Sequence, residues 1–173
     1  MKMKINAREI TPGCKVEIVD KGDWIDLHAA EDVELNAPQA GTQYEKDGSK
    51  FRDVTFSSAK VHLGIAVALP QGYEAQIVPR SSSFKNFNII QSNSPGIIDF
   101  TYRGTYDEWG LPIVALGHVS IKKGDRICQF RIQLSQKATI WQKIKWLFTS
   151  KIKFNWVSEL DDISRGGFGT TGK

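Results

Sequence analysis

The 173-residue chain has only two cysteines, Cys14 and Cys128. They stand far apart and form no CxxC pair, which argues against a zinc site or a structural disulfide. No run approaches the roughly 18 apolar residues of a membrane span. The opening, MKMKINAREI, lacks the apolar stretch of a secretory leader. A soluble, cytoplasmic protein is therefore expected, with no membrane partner. The three histidines, His28, His62 and His118, show no metal-ligand spacing. A Ser/His/Asp elbow and a Cys/His pair are also missing. Acid is absent between Arg126 and Ser158, where Lys137, Lys143, Lys145, Lys151 and Lys153 lie. The net charge is +4, so without these five lysines the remainder carries −1. The basicity belongs to one segment, and no specific nucleic-acid partner is expected.

What is present is short and alternating. KVEIV (15–19), YEAQIV (73–78), RICQFRIQL (126–134) and KIKFNWV (151–157) read as period-two strands. Turns punctuate them at Pro12-Gly13, Lys21-Gly22-Asp23, Pro70-Gln71-Gly72, Pro95-Gly96 and Lys123-Gly124-Asp125. With 40% hydrophobic residues and no internal repeat, residues 1–173 are expected to form one all-β domain, a sandwich or jelly roll. Residues 36–53 are polar and turn-rich, the pattern of a long surface loop. In residues 138–150, Ile140, Trp141, Ile144, Leu147 and Phe148 fall on one helical face, with Lys143 and Lys145 off it. Such a helix packs on its own domain, docks a protein partner or lies on a membrane surface.

Several segments can carry chemistry. GIIDFTYRG (96–104) runs an apolar stretch into one carboxylate, Asp99, followed by Tyr102. VPRSSSFK (78–85) ends a strand at a proline and then offers Arg80, Ser81, Ser82 and Ser83 as donors for an anion. In GDWIDLHAAEDVEL, Asp26 either orients metal-bound water or pairs with an arginine; pairing is the commoner case. In KKGDRICQFRI, Cys128, Phe130 and Ile132 read as core, and Ile127, Gln129 and Arg131 face the other way. The tail SRGGFGTTGK (164–173) has the spacing of GxxxxGK but no following helix, so it is not a phosphate loop. Its glycines, threonines and Arg165 suit a mobile tail able to wrap phosphate oxygens.

Taken in order, DLHAA, PRSSSFK, GIIDFTYRG, GDRICQF and RGGFGTTGK resemble the five signature motifs of the trimeric dUTP diphosphatases (dUTPases). The resemblance runs from about residue 22 to the end. It is nearest to the short-motif-five type of bacilli and their phages. It implies a β-jelly roll, a homotrimer with shared active sites, and Mg²⁺-assisted hydrolysis of dUTP to dUMP and pyrophosphate. That reaction limits uracil in DNA and supplies dUMP for dTMP synthesis. By the same resemblance Asp99 is the general base for a water that attacks the α-phosphate, and Gln129 lies near the phosphates and that water. Arg80, Ser81 and Ser82 bind phosphate. Asn93, Gly96 and Ile98 read uracil, and Tyr102 lies against the deoxyribose. Asp26 acts on the metal through water. Arg165, Phe168, Gly169, Thr170 and Thr171 close over the substrate.

The match departs from the family in the fifth motif, which lacks two residues between Arg165 and the glycines. The ring that caps uracil is therefore either Phe168 or Trp109, with Phe168 favoured because it is still in the tail. Motif one has Trp24 and Ile25 where a small residue is usual before the acid. A dCTP deaminase of the same fold would need a glutamate at the base, where this chain has Asp99. A second, regulatory binding role through residues 138–150 remains open.

Overall fold

The computed structural model describes residues 2–16, 18, 22–149 and 151–160. Fourteen strands and two short helices follow one another. They are β1 (Lys2–Glu9), β2 (Ile25–His28), β3 (Val33–Leu35), β4 (Gln39–Tyr44), β5 (Lys50–Thr55), β6 (Ser58–His62), β7 (Ile65–Ala68) and β8 (Tyr73–Pro79). After α1 (Ser83–Phe87) come β9 (Ile89–Gln91), β10 (Gly96–Asp99), β11 (Gly110–Ala115), β12 (Val119–Ile121) and β13 (Arg126–Leu134). Helix α2 (Ile140–Leu147) and β14 (Lys151–Trp156) complete the chain's described elements.

The sheet that matters most has the order β10-β8-β13-β2, all antiparallel. Its strands alternate because one face is buried and the other is wet. Ala75, Ile77, Phe130, Ile132, Ile25, Leu27 and Ile98 point inward. They meet Val61, Leu111, Ile113 and Ile89 of the sheet β6-β11-β9 in a single apolar cluster. Aromatic rings tie the layers together: Trp109 stands edge-on to Phe130 at 5.1 Å, and Phe130 lies 6.1 Å from Phe154 of β14. Strand β14 pairs parallel with β1, which pairs antiparallel with β7.

Three expectations change. Residues 36–53 are no irregular loop: β4 and β5 form an antiparallel hairpin, Gln39 opposite Thr55, with every strand residue exposed. Of the expected strand at 15–19, Lys15, Val16 and Ile18 are not in a strand, although Val16 is buried, and residues 17 and 19 lie outside the described residues. Ile127 does not face solvent; it is fully buried beside Cys128. A break in the β13–β2 register between Arg126 and Cys128 explains it. A bulge there adds a residue to one strand, so two neighbours turn inward. Both cysteines are free and buried, and burial drives each thiol's pKa up.

The hairpin contributes no buried strand residue, so its removal should be nearly neutral. Replacing residues 40–54 with a Gly-Gly link should leave the unfolding free energy in urea within about 0.5 kcal/mol of wild type. A clearly larger loss would show that the hairpin supports the core.

Candidate active site

The outer face of the β10-β8-β13-β2 sheet carries the polar groups. Across three strands, Asp26, Gln129 and Val78 share one register row. Strand β8 stops at Pro79, and the chain turns directly into α1. Ser83 fixes this turn. Its buried hydroxyl donates to the Ile127 carbonyl at 2.7 Å and accepts the Arg80 N–H at 3.0 Å. Arg80 is thereby aimed back along the sheet, where its Nε lies 2.8 Å from Asp26 Oδ1. Arg126 Nη1 lies 3.3 Å from the other Asp26 oxygen. In this structure Asp26 is paired with both arginines. Ser81 is exposed, and Ser82, the residue before α1, makes no capping bond through its side chain. Gln129, Arg80, Ser81 and Ser82 thus gather at one end of the sheet as amide, guanidinium and hydroxyl donors. His28 follows two residues after Asp26. Burial lowers its pKa; Asp26 opposes this, and Arg126 and Arg80 add to it.

Asp99 occupies the opposite end. It is exposed, at the tip of edge strand β10, and pairs in register with Glu74, which pairs with Gln133. Thr101 holds the Asp99 carboxylate through its backbone N–H at 2.8 Å and its hydroxyl. The Tyr102 N–H donates to the Asp99 carbonyl at 3.2 Å, and its phenol donates to the Glu108 carbonyl at 2.8 Å. Burial, with Asp107 and Glu108 nearby, pushes that phenol up to about 12. The hydroxyl is therefore a neutral donor committed to the backbone, and the ring is fixed in place. Glu108 is itself braced by the Gly64 N–H at 2.9 Å and His62 Nδ1 at 2.8 Å.

The turn that carries the chain from β9 in one sheet to β10 in the other presents Asn93. Sequence reasoning missed its brace, Gln91, which is buried and donates to the Ile77 carbonyl at 3.3 Å and to Asn93 Oδ1 at 3.0 Å. A Cβ on Gly96 would meet the Gln91 amide at 2.8 Å, which is why glycine stands there. Ile98 is buried opposite Ala75. Arg126 and Ser83 were missed as positioning groups too, though both lie inside the quoted motifs. Nothing local in a sequence tells which of three serines turns inward.

The structure gathers Asp26, Arg80, Ser81, Ser82 and Gln129 at one end of the sheet and Asp99 with Tyr102 at the other; Gly96, opposite Ile77, and Asn93, tied to Ile77 through Gln91, lie beside the first group, and Ile98 lies between. Asp99 is not joined to the donors. Val78 and Glu74 are four residues apart on β8, about 13 Å. Trp109 joins neither group. It is fully buried in the core against Phe130, so its ring cannot cap a base from this position, a correction to its candidacy. Arg165, Phe168, Gly169, Thr170 and Thr171 lie outside the described residues. A cleft of about 390 Å³ beside α2, lined by Trp24, Ile25, Arg131, Trp146 and Lys151, holds none of the candidate site residues.

The dUTPase family model matches residues 52–145. Over 172 residues the chain is 41% identical to a SPbeta prophage-derived deoxyuridine 5'-triphosphate nucleotidohydrolase of Bacillus subtilis, covering 99% of each. The chain belongs to the dUTPase family. A deoxyuridine 5'-triphosphate nucleotidohydrolase of Ehrlichia canis is 40% identical over 120 residues, 66% of this chain and 67% of that one. The fold is shared with the dUTPase of phage phi11 of S. aureus, described with a structural Mg(II) ion, at a TM-score of 0.59 and 17% identity over 79% of this chain and 94% of that one. It is also shared with a Staphylococcus bacteriophage 80alpha dUTPase mutant with dUpNHpp, at a TM-score of 0.55 and 16% identity over 98% of both chains.

For this dUTPase, the core position of Trp109 gives a direct test. Trp109→Phe should cost about 1–3 kcal/mol in urea unfolding and leave the KM for nucleotide unchanged. A raised KM at unchanged stability would restore Trp109 as the cap.

Proposed function

We propose that the chain hydrolyses dUTP to dUMP and pyrophosphate as a homotrimer whose active sites are each built from more than one subunit. One observation carries this reading: Asp99 and Gln129 share a sheet face, yet their register rows, at Glu74 and at Val78, stand about 13 Å apart within a chain. General-base catalysis needs a heavy-atom approach of about 3 Å, or one intervening water. A site that uses both groups therefore takes Asp99 from one subunit and Arg80, Ser81, Ser82 and Gln129 from another.

In that site Asp99, oriented by Thr101, takes a proton from water as its oxygen bonds to the α-phosphorus. The bond from that phosphorus to the bridging oxygen breaks, and pyrophosphate leaves. Arg80 and the serine hydroxyls neutralise and align the chain of phosphates, which is where phosphoryl transfer gains most. Asn93, with the backbone of Gly96 and Ile98, reads uracil. The fixed Tyr102 ring packs on the deoxyribose and leaves no room for a 2′-hydroxyl. The tail residues Arg165, Phe168, Gly169, Thr170 and Thr171 complete the closure, with Phe168 as the cap. Leu160, the last described residue before them, is pinned to Thr105 by bonds of 2.6 and 2.9 Å.

Among the described residues no three His, Cys, Asp or Glu side chains cluster to cage a metal, and Asp26 is held by two arginines. This donor set fits Mg²⁺, which commonly rides on substrate phosphates and waters rather than in a protein cage. Asp26 is the residue to orient such a water, and the ion would supply charge neutralisation on the phosphates. No helix among the described residues is long and apolar enough to cross a membrane. A dUTP-hydrolysing enzyme acts where nucleotides are made, so a cytoplasmic location follows from this reading.

Asp99→Asn should keep nucleotide affinity and lose about 10²–10⁴-fold in turnover. Pyrophosphate release should be specific to dUTP over dTTP, dCTP and UTP and fall without Mg²⁺; ammonia release from dCTP would instead mark a deaminase. Subunit sharing has its own test. Asp99→Asn and Arg80→Ala proteins, each inactive, are mixed in equal amounts and reassembled. About a quarter of the sites should then hold both native groups and recover activity. Mixtures that stay inactive would show that each site is built within one chain.

A further inference from the structure

Helix α2 is seated by the side that is not its apolar stripe. Trp146 packs on Tyr73, with ring centroids 5.5 Å apart, and Gln142 donates to the Gln71 carbonyl at 2.7 Å. Gln142 also closes a capping box with Thr139, and it fills the space a side chain at Gly72 would need. At about 100° per residue, Gln142 and Trp146 mark one side of the helix. Ile140, Ile144, Trp141 and Leu147 lie on the opposite side, which points away from the domain. Trp141 is 75% exposed, Leu147 80% and Ile140 64%. This is not a helix whose apolar face packs on its own core.

Lys143 and Lys145 fall on the two borders of the stripe, each about 40° beyond its edge. Lys137, Lys151 and Lys153 are exposed nearby, and no acid occurs between Arg126 and Ser158. The stripe is convex, and apart from the Trp141 indole it offers no hydrogen-bonding group. A protein groove is normally matched by polar contacts at its rim. A bilayer surface asks only for apolar side chains flanked by cations whose stems lie along them.

We propose that α2 is an interfacial anchor that lays Ile140, Trp141, Ile144 and Leu147 into the surface of an anionic phospholipid bilayer, with Lys143 and Lys145 on the headgroups. This revises the expectation of no membrane partner, and it is independent of the catalytic reading. The test is flotation of the full-length protein with vesicles of 3:1 phosphatidylcholine and phosphatidylglycerol, against phosphatidylcholine alone. Wild type should float with the anionic vesicles, and added salt should release it. Trp141→Glu/Leu147→Glu and Lys143→Glu/Lys145→Glu should each reduce flotation about tenfold or more while dUTP turnover and circular dichroism stay as in wild type. The lipid assignment is overturned if wild type stays at the bottom with anionic vesicles at low salt, or if Trp141→Glu/Leu147→Glu floats equally well. Self-association of wild type that Trp141→Glu/Leu147→Glu abolishes, without flotation, would assign the stripe to a second copy and also overturn it.

Discussion

Strand β8 is paired on both sides, with Glu74 opposite Asp99 on one neighbour and Val78 opposite Gln129 on the other. That register decides where every polar group of the site can be. A slip of one residue would turn Ala75 and Ile77 out of the core and bring Gln76 in, so the inner face locks the outer one. The cost of misregister is paid in apolar burial, yet its result is a fixed separation between an acid and a cluster of donors. The placement of the outer-face polar groups thus depends on side chains buried on the other face.

The Asp26–Arg80–Arg126 arrangement is better understood as alignment than as stabilisation. Asp26 and Arg80 keep 29% and 27% of their side-chain surface exposed. Pairs in such surroundings contribute about 0–1 kcal/mol. What the pair does is hold a flexible guanidinium on the sheet face next to Gln129, so that less rotamer freedom is lost when an anion arrives. Ser83 acts in the same sense from below, converting the end of a strand into a turn of defined direction. Arg126 and Arg80 there add to the burial that lowers the pKa of His28.

Much of this was legible in the sequence where one face is buried and the other is wet. YEAQIV, RICQFRIQL and KIKFNWV alternate for that reason, and all three are strands. The hairpin of β4 and β5 was not legible, because neither of its faces is buried and no alternation is imposed on it. The bulge at Ile127 leaves no local trace, since the extra residue is as apolar as its neighbour. Trp109 misled in another way. It follows Asp107 and Glu108, a context that reads as surface, while its backbone N–H donates to the Ile65 carbonyl and its ring completes the core. The division of the site between two ends of one sheet depends on strand order, which composition and spacing do not carry.

The two elements that stand apart from the catalytic sheet face, the β4–β5 hairpin and α2, share a property. Each is joined to the core at its base, and each presents aromatic or aliphatic side chains outward: Tyr44 and Phe51 on the hairpin, Trp141 and Leu147 on the helix. Neither hydrogen-bonds to Asp26, Arg80 or Gln129 among the bonds described. An addition placed in this way can change what the protein adheres to without moving the polar groups of the outer sheet face, because the β8 register that sets those positions is held by the buried inner face. The seat of α2 on Tyr73 is a place where such an addition reaches β8, and it does so through a side chain already turned into the core. Contact at the apolar stripe would therefore be transmitted to the inner layer, which is close-packed and resists displacement, rather than to the wet face where Asp99 and Gln129 stand.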